Sequence, residues 1–283
     1  MTPCQLLRNA ARALAQQGVP DPAVDASLLL SHVTHIPPLS LRLDMDTLLA
    51  DEEIRRFESL LARRLTREPL QYILSTVLFM GHEFRVDPRV LIPRPETELL
   101  TEMAIQLLEN HPGPRVLDLC TGSGCIGISI ALACPGARVT LSDISEDALA
   151  AAKNNAAQLG AEVEFLQGDL FEHAQGPYDL IISNPPYIPA SDCLNLQPEV
   201  LREPRLALDG GCDGLDFYRR IAREAPAHLS SGGWLLMEIG DGQSEAVLQL
   251  LTSNGFTDAH VYRDYQQLDR MVRARYVSPE GLC

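Results

Sequence analysis

Apolar positions recur at helical spacing through the first quarter of the chain. Leu6, Leu7, Ala10, Ala13 and Leu14 form one such stripe, Ala26 to Val33 a second, and Ile54, Phe57, Leu61 and Leu65 a third. Turn residues from Gly18 to Pro22 and at Pro37-Pro38 separate them. The pattern predicts a bundle of three to five helices over residues 1–75. The period then shortens. Val77 to Met80 and Glu83 to Val86 are extended runs broken by Gly81-His82 and Asp87-Pro88, which predicts a β-hairpin linker over residues 76–92. Ile92-Pro93-Arg94-Pro95-Glu96-Thr97-Glu98 opens a helix running to about Glu109, with acids in its favourable first turn.

Residues 93–283 then alternate strand and helix. Val116 to Leu119, Val139 to Ser142, Val163 to Leu166 and Leu180 to Ser183 read as strands; Ile126 to Ala133 and Glu146 to Leu159 read as the helices between them. Further on come a helix over Asp216 to His228, a strand over Trp234 to Ile239, a helix over Ser244 to Ser253, and extended runs at Phe256 to Tyr262 and Arg270 to Val277. Such alternation implies a mostly parallel sheet of the α/β class, with ligands at the carboxyl ends of its strands.

Composition narrows the function. A formal net charge of −15 disfavours direct nucleic acid binding and anionic membrane surfaces, since both need a basic footprint. The acidity is uneven: residues 1–75 carry eight Arg against nine Asp and Glu, the remainder fifteen basic against twenty-nine acidic residues. Arg55, Arg56, Arg63, Arg64 and Arg67 cluster on one predicted helix, either as a solvated, paired face or as a docking patch for an acidic partner. Seven cysteines, odd in number and without a C-x-x-C pair, read as reduced cytoplasmic thiols, and no metal site is expected. No basic start leads into an apolar segment and no run approaches a membrane span, so the expected location is the cytoplasm.

The candidate chemistry sits in turns that follow strands. Cys120-Thr121-Gly122-Ser123-Gly124 follows the first strand of the sheet, and Gly127 completes a G-x-G-x-x-G spacing, a weak signal for a ligand close to the backbone. Asp143 ends the next strand, where an acid can accept hydrogen bonds from ribose hydroxyls. Asp169 and Leu170 end the third, placed for the amino group and face of an adenine. Asp118 either orients the glycine turn or faces the ligand's positive end.

Asn184-Pro185-Pro186-Tyr187 ends the fourth strand. Two prolines fix φ twice and remove two N–H donors, giving a stiff turn that can aim acceptors. The Asn184 side-chain carbonyl and the Pro185 main-chain carbonyl suit a planar NH₂ group, with the Tyr187 ring to support its plane. A plain connecting turn explains the tetrapeptide about as well.

Taken together, Leu117-Asp118-Leu119-Cys120-Thr121-Gly122-Ser123-Gly124, Asp143, Asp169 and Asn184-Pro185-Pro186-Tyr187 resemble the class I S-adenosylmethionine-dependent methyltransferases that modify planar amino nitrogens. Across nearly its whole length the chain resembles the release factor glutamine methyltransferase family. The resemblance runs through Glu68-Pro69-Leu70-Gln71-Tyr72-Ile73, Leu91 to Glu98, Asn184 to Ile188, and Glu203-Pro204-Arg205 with Leu206-Ala207-Leu208 before Gly210-Gly211. It departs where members usually carry a glycine after the Tyr-Ile pair, here Ser75 and Thr76, and often an aromatic residue at the position of Arg202.

The resemblance implies a Rossmann-like, mostly parallel seven-stranded sheet behind a helical substrate-docking domain. It implies S-adenosylmethionine as cofactor and the Gly-Gly-Gln loop of peptide chain release factors as substrate. It also implies site roles. Cys120, Thr121, Gly122, Ser123, Gly124, Asp143, Asp169, Leu170 and Asn184 hold the cofactor, Asn184, Pro185, Pro186 and Tyr187 hold the substrate, and Asn184, Pro185 and Tyr187 are catalytic. A DNA adenine N6-methyltransferase with a similar Asn-Pro-Pro-Tyr turn is the alternative, and the acidic balance counts against it.

Overall fold

The computed structural model describes residues 2–43 and 48–278, so Cys283 lies outside the described residues. The chain divides into two compact units: residues 1–76 with 197–202, and residues 77–196 with 203–283.

In the first unit, helices α1 (Pro3–Gln16), α2 (Pro22–Thr34), α3 (Pro38–Leu43), α4 (Asp51–Leu65) and α5 (Leu70–Leu74) pack around Leu14, Leu29, Leu30, Leu41 and Phe57, none of which is exposed. Proline starts α1 and α2, where its missing N–H has no helical partner to lose. The arginine cluster on α4 and just after it is not one solvated face. Arg64 is buried and bridges Asp25 at 2.7 Å and Glu199 at 2.8 Å, and Arg67 forks onto the same Glu199 at 2.6 Å. Arg63 pairs with Glu68 and Arg55 with Glu52. These pairings leave the docking-patch reading without its inner arginines. They also place Glu199, in the short segment 197–202, within the helical unit.

The boundary between the units falls in the first strand of a two-stranded hairpin, β1 (Thr76–Phe79) and β2 (His82–Arg85), which is followed by α6 (Pro95–Leu108). The alternation then runs β3 (Arg115–Leu119), α7 (Cys125–Ala133), β4 (Arg138–Asp143), α8 (Glu146–Leu159), β5 (Glu164–Gln167), β6 (Tyr178–Ser183), α9 (Asp216–Glu224), β7 (Leu229–Glu238), α10 (Ser244–Ser253), β8 (Phe256–Arg263) and β9 (Asp269–Tyr276). Strands β3 to β9 form a seven-stranded sheet in the order β5-β4-β3-β6-β7-β9-β8, parallel except where β9 joins β7 and β8.

Period-two alternation sends each strand's side chains to opposite faces. Leu117, Leu119, Ile181, Leu235 and Met237 join α9 and α10 on one face; Val116, Leu141, Leu180, Ile182 and Leu236 join α6, α7 and α8 on the other. With both faces covered, the central strands read as the nearly continuous apolar runs seen in the sequence. From β3 the chain builds outward through β4 and β5, then returns to the other side of β3 as β6. The ends of β3 and β6 therefore flank a topological switch point, where open α/β sheets bind ligands. Among the described residues no helix is long and apolar enough to cross a membrane.

Candidate active site

The parallel register lines up the strand ends. Leu119 pairs with Ser142 on one side and Ser183 on the other, and Asp143 pairs with Gln167. The residues just beyond these pairs form the wall of a cleft of about 740 Å³ counting its open mouth. Cys120, Gly122, Asp143, Asp169, Leu170, Asn184 and Pro186 all line it. Cys120 (φ 57°) and Leu170 (φ 54°) adopt left-handed backbone conformations that side chains disfavour, and such strain tends to gather at functional sites. Gly122 (φ 55°) faces open space, so a ligand can approach its backbone.

Asp143 anchors the glycine turn. Its Oδ2 accepts from the Gly122 N–H and its Oδ1 from the Ser145 N–H, both at 2.9 Å. Burial raises its pKa while these donors oppose the rise, and each oxygen keeps a lone pair for a ligand hydroxyl. Asp169 meets Arg220 at 3.0 Å. Burial pushes the Cys120 thiol well up, so it stays protonated at neutral pH.

Six of the residues singled out from the sequence do not line the cleft. Thr121, Ser123 and Gly124 lie beneath the turn: Thr121 Oγ1 donates to Asp118 Oδ2 at 2.6 Å, and the Ser123 carbonyl accepts from Asn155. Asp118 also accepts from the Gly127 N–H at 3.0 Å and is fully buried, so it braces the glycine turn. Its Oδ1 has no partner among the described residues, and burial pushes the carboxyl up to about 7. Tyr187 also lies outside the cleft lining. Its ring packs against the core cluster on the α9 and α10 face, and its hydroxyl lies 3.5 Å from Glu238 Oε1, too long for a firm bond. Its carbonyl accepts from Gln243 Nε2 at 2.9 Å. Pro185 is buried outside the cleft wall, and among the described residues no donor reaches its carbonyl.

The loop after Tyr187 folds back on Gly210. Ile188 accepts from the Gly210 N–H at 2.8 Å, and a Cβ on Gly210 would come within 2.7 Å of Tyr187 Cα. Glu203, also buried, accepts from the Ile92 N–H at 3.0 Å and pairs with Arg94, fixing the residue between the two prolines. Its neighbours Pro204, Leu206 and Ala207 close one wall of the cleft.

Two family models match the chain: the PrmC N-terminal domain over residues 5–74 and the methyltransferase small domain over residues 96–213. The release factor glutamine methyltransferase of Geobacter sulfurreducens is 45% identical over 264 residues, covering 93% of this chain and 92% of that protein. That of Cereibacter sphaeroides is 45% identical over 278 residues, covering 97% and 99%. The chain belongs to the release factor glutamine methyltransferase family. For the fold, a Pyrococcus furiosus methyltransferase of known structure superposes with a TM-score of 0.52 at 16% identity, covering 70% of this chain and 91% of that one.

The residues that line the cleft carry groups suited to the parts of S-adenosylmethionine. Asp143 offers acceptors at the end of β4, Asp169 an acceptor at the end of β5, and Ile144, Leu170 and Phe217 an apolar surface for a flat base. Sequence reasoning missed what lies behind Asn184. Ser183, the last residue of β6, pairs with Met237, so Asn184 just beyond that strand and Glu238 at the end of β7 follow side by side and both reach α6. There Asn184 Nδ2 donates to Thr97 Oγ1 at 3.2 Å, which donates to Glu238 Oε2 at 2.6 Å. An acid inside Leu235-Leu236-Met237-Glu238-Ile239 was the available signal.

Proposed function

We propose that this chain transfers a methyl group from S-adenosylmethionine to the side-chain nitrogen of the glutamine in the Gly-Gly-Gln loop of peptide chain release factors. The observation that carries the reading is Asn184, which lines the cleft and is held there through its Nδ2 by Thr97, with no described residue donating to its Oδ1. An amide nitrogen is a poor nucleophile because its lone pair is delocalised. Bound S-adenosylmethionine supplies an already activated sulfonium methyl. The protein's task is alignment, and well-oriented partners reach effective molarities of about 10⁵ to 10⁸ M.

Asn184 Oδ1 and the Pro185 carbonyl accept the two amide N–H groups and turn the nitrogen toward the cleft interior, with Pro186 as the wall beside them. Asp143 accepts from ribose hydroxyls, Asp169 from the adenine amino group, and Leu170 packs on the base. Gly122 lets the backbone approach. Thr121, Ser123 and Gly124 serve that binding by holding the turn, as does Cys120 at the end of β3. We assign docking of the release factor to the helical unit, on the strength of its separate composition, and place the reaction in the cytoplasm, where translation termination occurs.

The test uses labelled S-adenosylmethionine with an intact release factor, the same factor with its Gly-Gly-Gln glutamine replaced, a short Gly-Gly-Gln peptide and duplex DNA. Label is expected in the intact factor at the glutamine, less efficiently in the peptide, and in neither control. Asn184→Ala is expected to lower turnover by about 100-fold or more while cofactor affinity changes little. An unchanged rate would remove Asn184 from the mechanism, and label in DNA would move the reading to adenine.

A further inference from the structure

The carboxamide at the rim of the cleft is the outer end of a hydrogen-bond chain that runs inward to a buried acid. Thr97 is 2% exposed and Glu238 1% exposed, so water does not take the place of either partner. A hydroxyl has one proton. The Thr97 hydroxyl gives that proton to Glu238 Oε2, and toward Asn184 it can then only accept. The Asn184 NH₂ must therefore face Thr97. Its Oδ1, to which no described residue donates, is left for the cleft. The reversed amide would set an NH₂ against the substrate's own NH₂, donor against donor.

We propose that Glu238 is a positioning residue for methyl transfer: through Thr97, its carboxylate fixes which way the Asn184 amide points and so keeps the carbonyl toward the substrate nitrogen. The inference rests on the proposed reaction, because only an NH₂-bearing substrate needs that carbonyl.

The arrangement depends on the charge of Glu238. A protonated Glu238 can donate to Thr97, which frees the hydroxyl proton for Asn184 Oδ1 and lets the amide turn over. Thr97 and Glu96 face Glu238 from α6, Tyr187 from the motif loop, Tyr218 from α9, Arg270 from β9 and Cys125 from α7. Burial raises the two tyrosines and the cysteine, which stay neutral around pH 7, and Arg270 stays charged and paired with Asp264. Burial pushes Glu238 itself up to about 7, against the Thr97 hydrogen bond and Arg270. Asp118, under the glycine turn, is also pushed to about 7, so the assignment needs the Glu238 variant and not a wild-type profile alone.

The experiment measures methylation of an intact release factor between pH 6 and 9 by the wild type and by Glu238→Gln, Thr97→Val, Thr97→Ser and the Thr97→Val/Glu238→Gln double variant. Cofactor affinity and thermal unfolding are measured alongside. The wild-type kcat is expected to rise with an inflection near pH 7. Glu238→Gln should lose that inflection and at least tenfold in kcat at the plateau, with KM for the factor and Kd for the cofactor within threefold of wild type. Thr97→Val should fall as far, Thr97→Ser should recover most of the loss, and the double variant should be no worse than Thr97→Val. Retention of kcat and inflection in Glu238→Gln would overturn the inference. So would a double variant whose loss is the product of the single losses together with a Thr97→Ser as impaired as Thr97→Val. The Thr97 pair decides even if Glu238→Gln unfolds. A wild type that never labels the glutamine would overturn the reaction and the inference together.

Discussion

Ser75 occupies a backbone conformation that suits glycine better than any side chain. It ends α5 with φ 61° and ψ 16°, the left-handed geometry in which a Cβ crowds the neighbouring carbonyl. The Ser75 hydroxyl reaches the Tyr72 carbonyl at only 3.5 Å, so little is lost by removing it. Ser75→Gly is expected to stabilise the helical unit by about 0.5 to 1 kcal/mol, the strain relieved less the added freedom of the unfolded chain. Urea unfolding followed by far-UV ellipticity checks it. Cys120 and Leu170 share the same geometry but line the cleft, where glycine would also remove lining atoms.

At the scale of elements, local signals decided what was legible. Helices α8 and α10 were expected over the residues they occupy, because apolar spacing and end residues agree; Ser145 caps α8 by accepting from the Ala148 N–H at 3.1 Å. Strand β7 starts at Leu229, five residues before the expected Trp234, since Ser230-Ser231-Gly232-Gly233 reads as a turn although it lies within the strand. Helix α9 ends at Glu224 where a tight turn carrying Pro226 takes over, short of the expected His228. The glycine turn and the acids at the ends of β4 and β5 were visible because strand ends announce themselves. The partners of Arg64 and Glu238 were not, because they come from Asp25, Glu199 and Thr97, distant in sequence and joined only by tertiary packing. Arg64 shows what such a pairing is worth. Arg64→Ala would leave Asp25 and Glu199 buried against each other with less compensation, and burial already raises the Asp25 carboxyl. The expected cost to the helical unit is about 3 to 5 kcal/mol, read as earlier loss of ellipticity in urea. A change below about 1 kcal/mol would mean that Arg67 and water take over both acids.

For the whole molecule, the buried acids set how stability varies with pH. Glu68, Asp87 and Glu199, each paired with arginine, are held below the usual carboxylate range, and they stabilise the fold above that range. Glu238 acts in the opposite sense. With a folded value near 7 against an ordinary 4.5, it keeps a proton that the unfolded chain has released. Its contribution is complete below about pH 4.5 and disappears as pH rises through 7. Glu238→Gln has no proton to lose, so the stability difference should shift toward the variant by about 2 to 3 kcal/mol between pH 5 and pH 8. Trp234, the protein's single tryptophan, lies on the same strand, and its fluorescence during urea unfolding reports on the unit that holds Glu238. A difference that stays constant with pH would mean that Glu238 ionises as an ordinary carboxylate. The expected variant is thus more stable above neutrality and slower in methyl transfer, because the charged form that orients Asn184 is the form the interior disfavours.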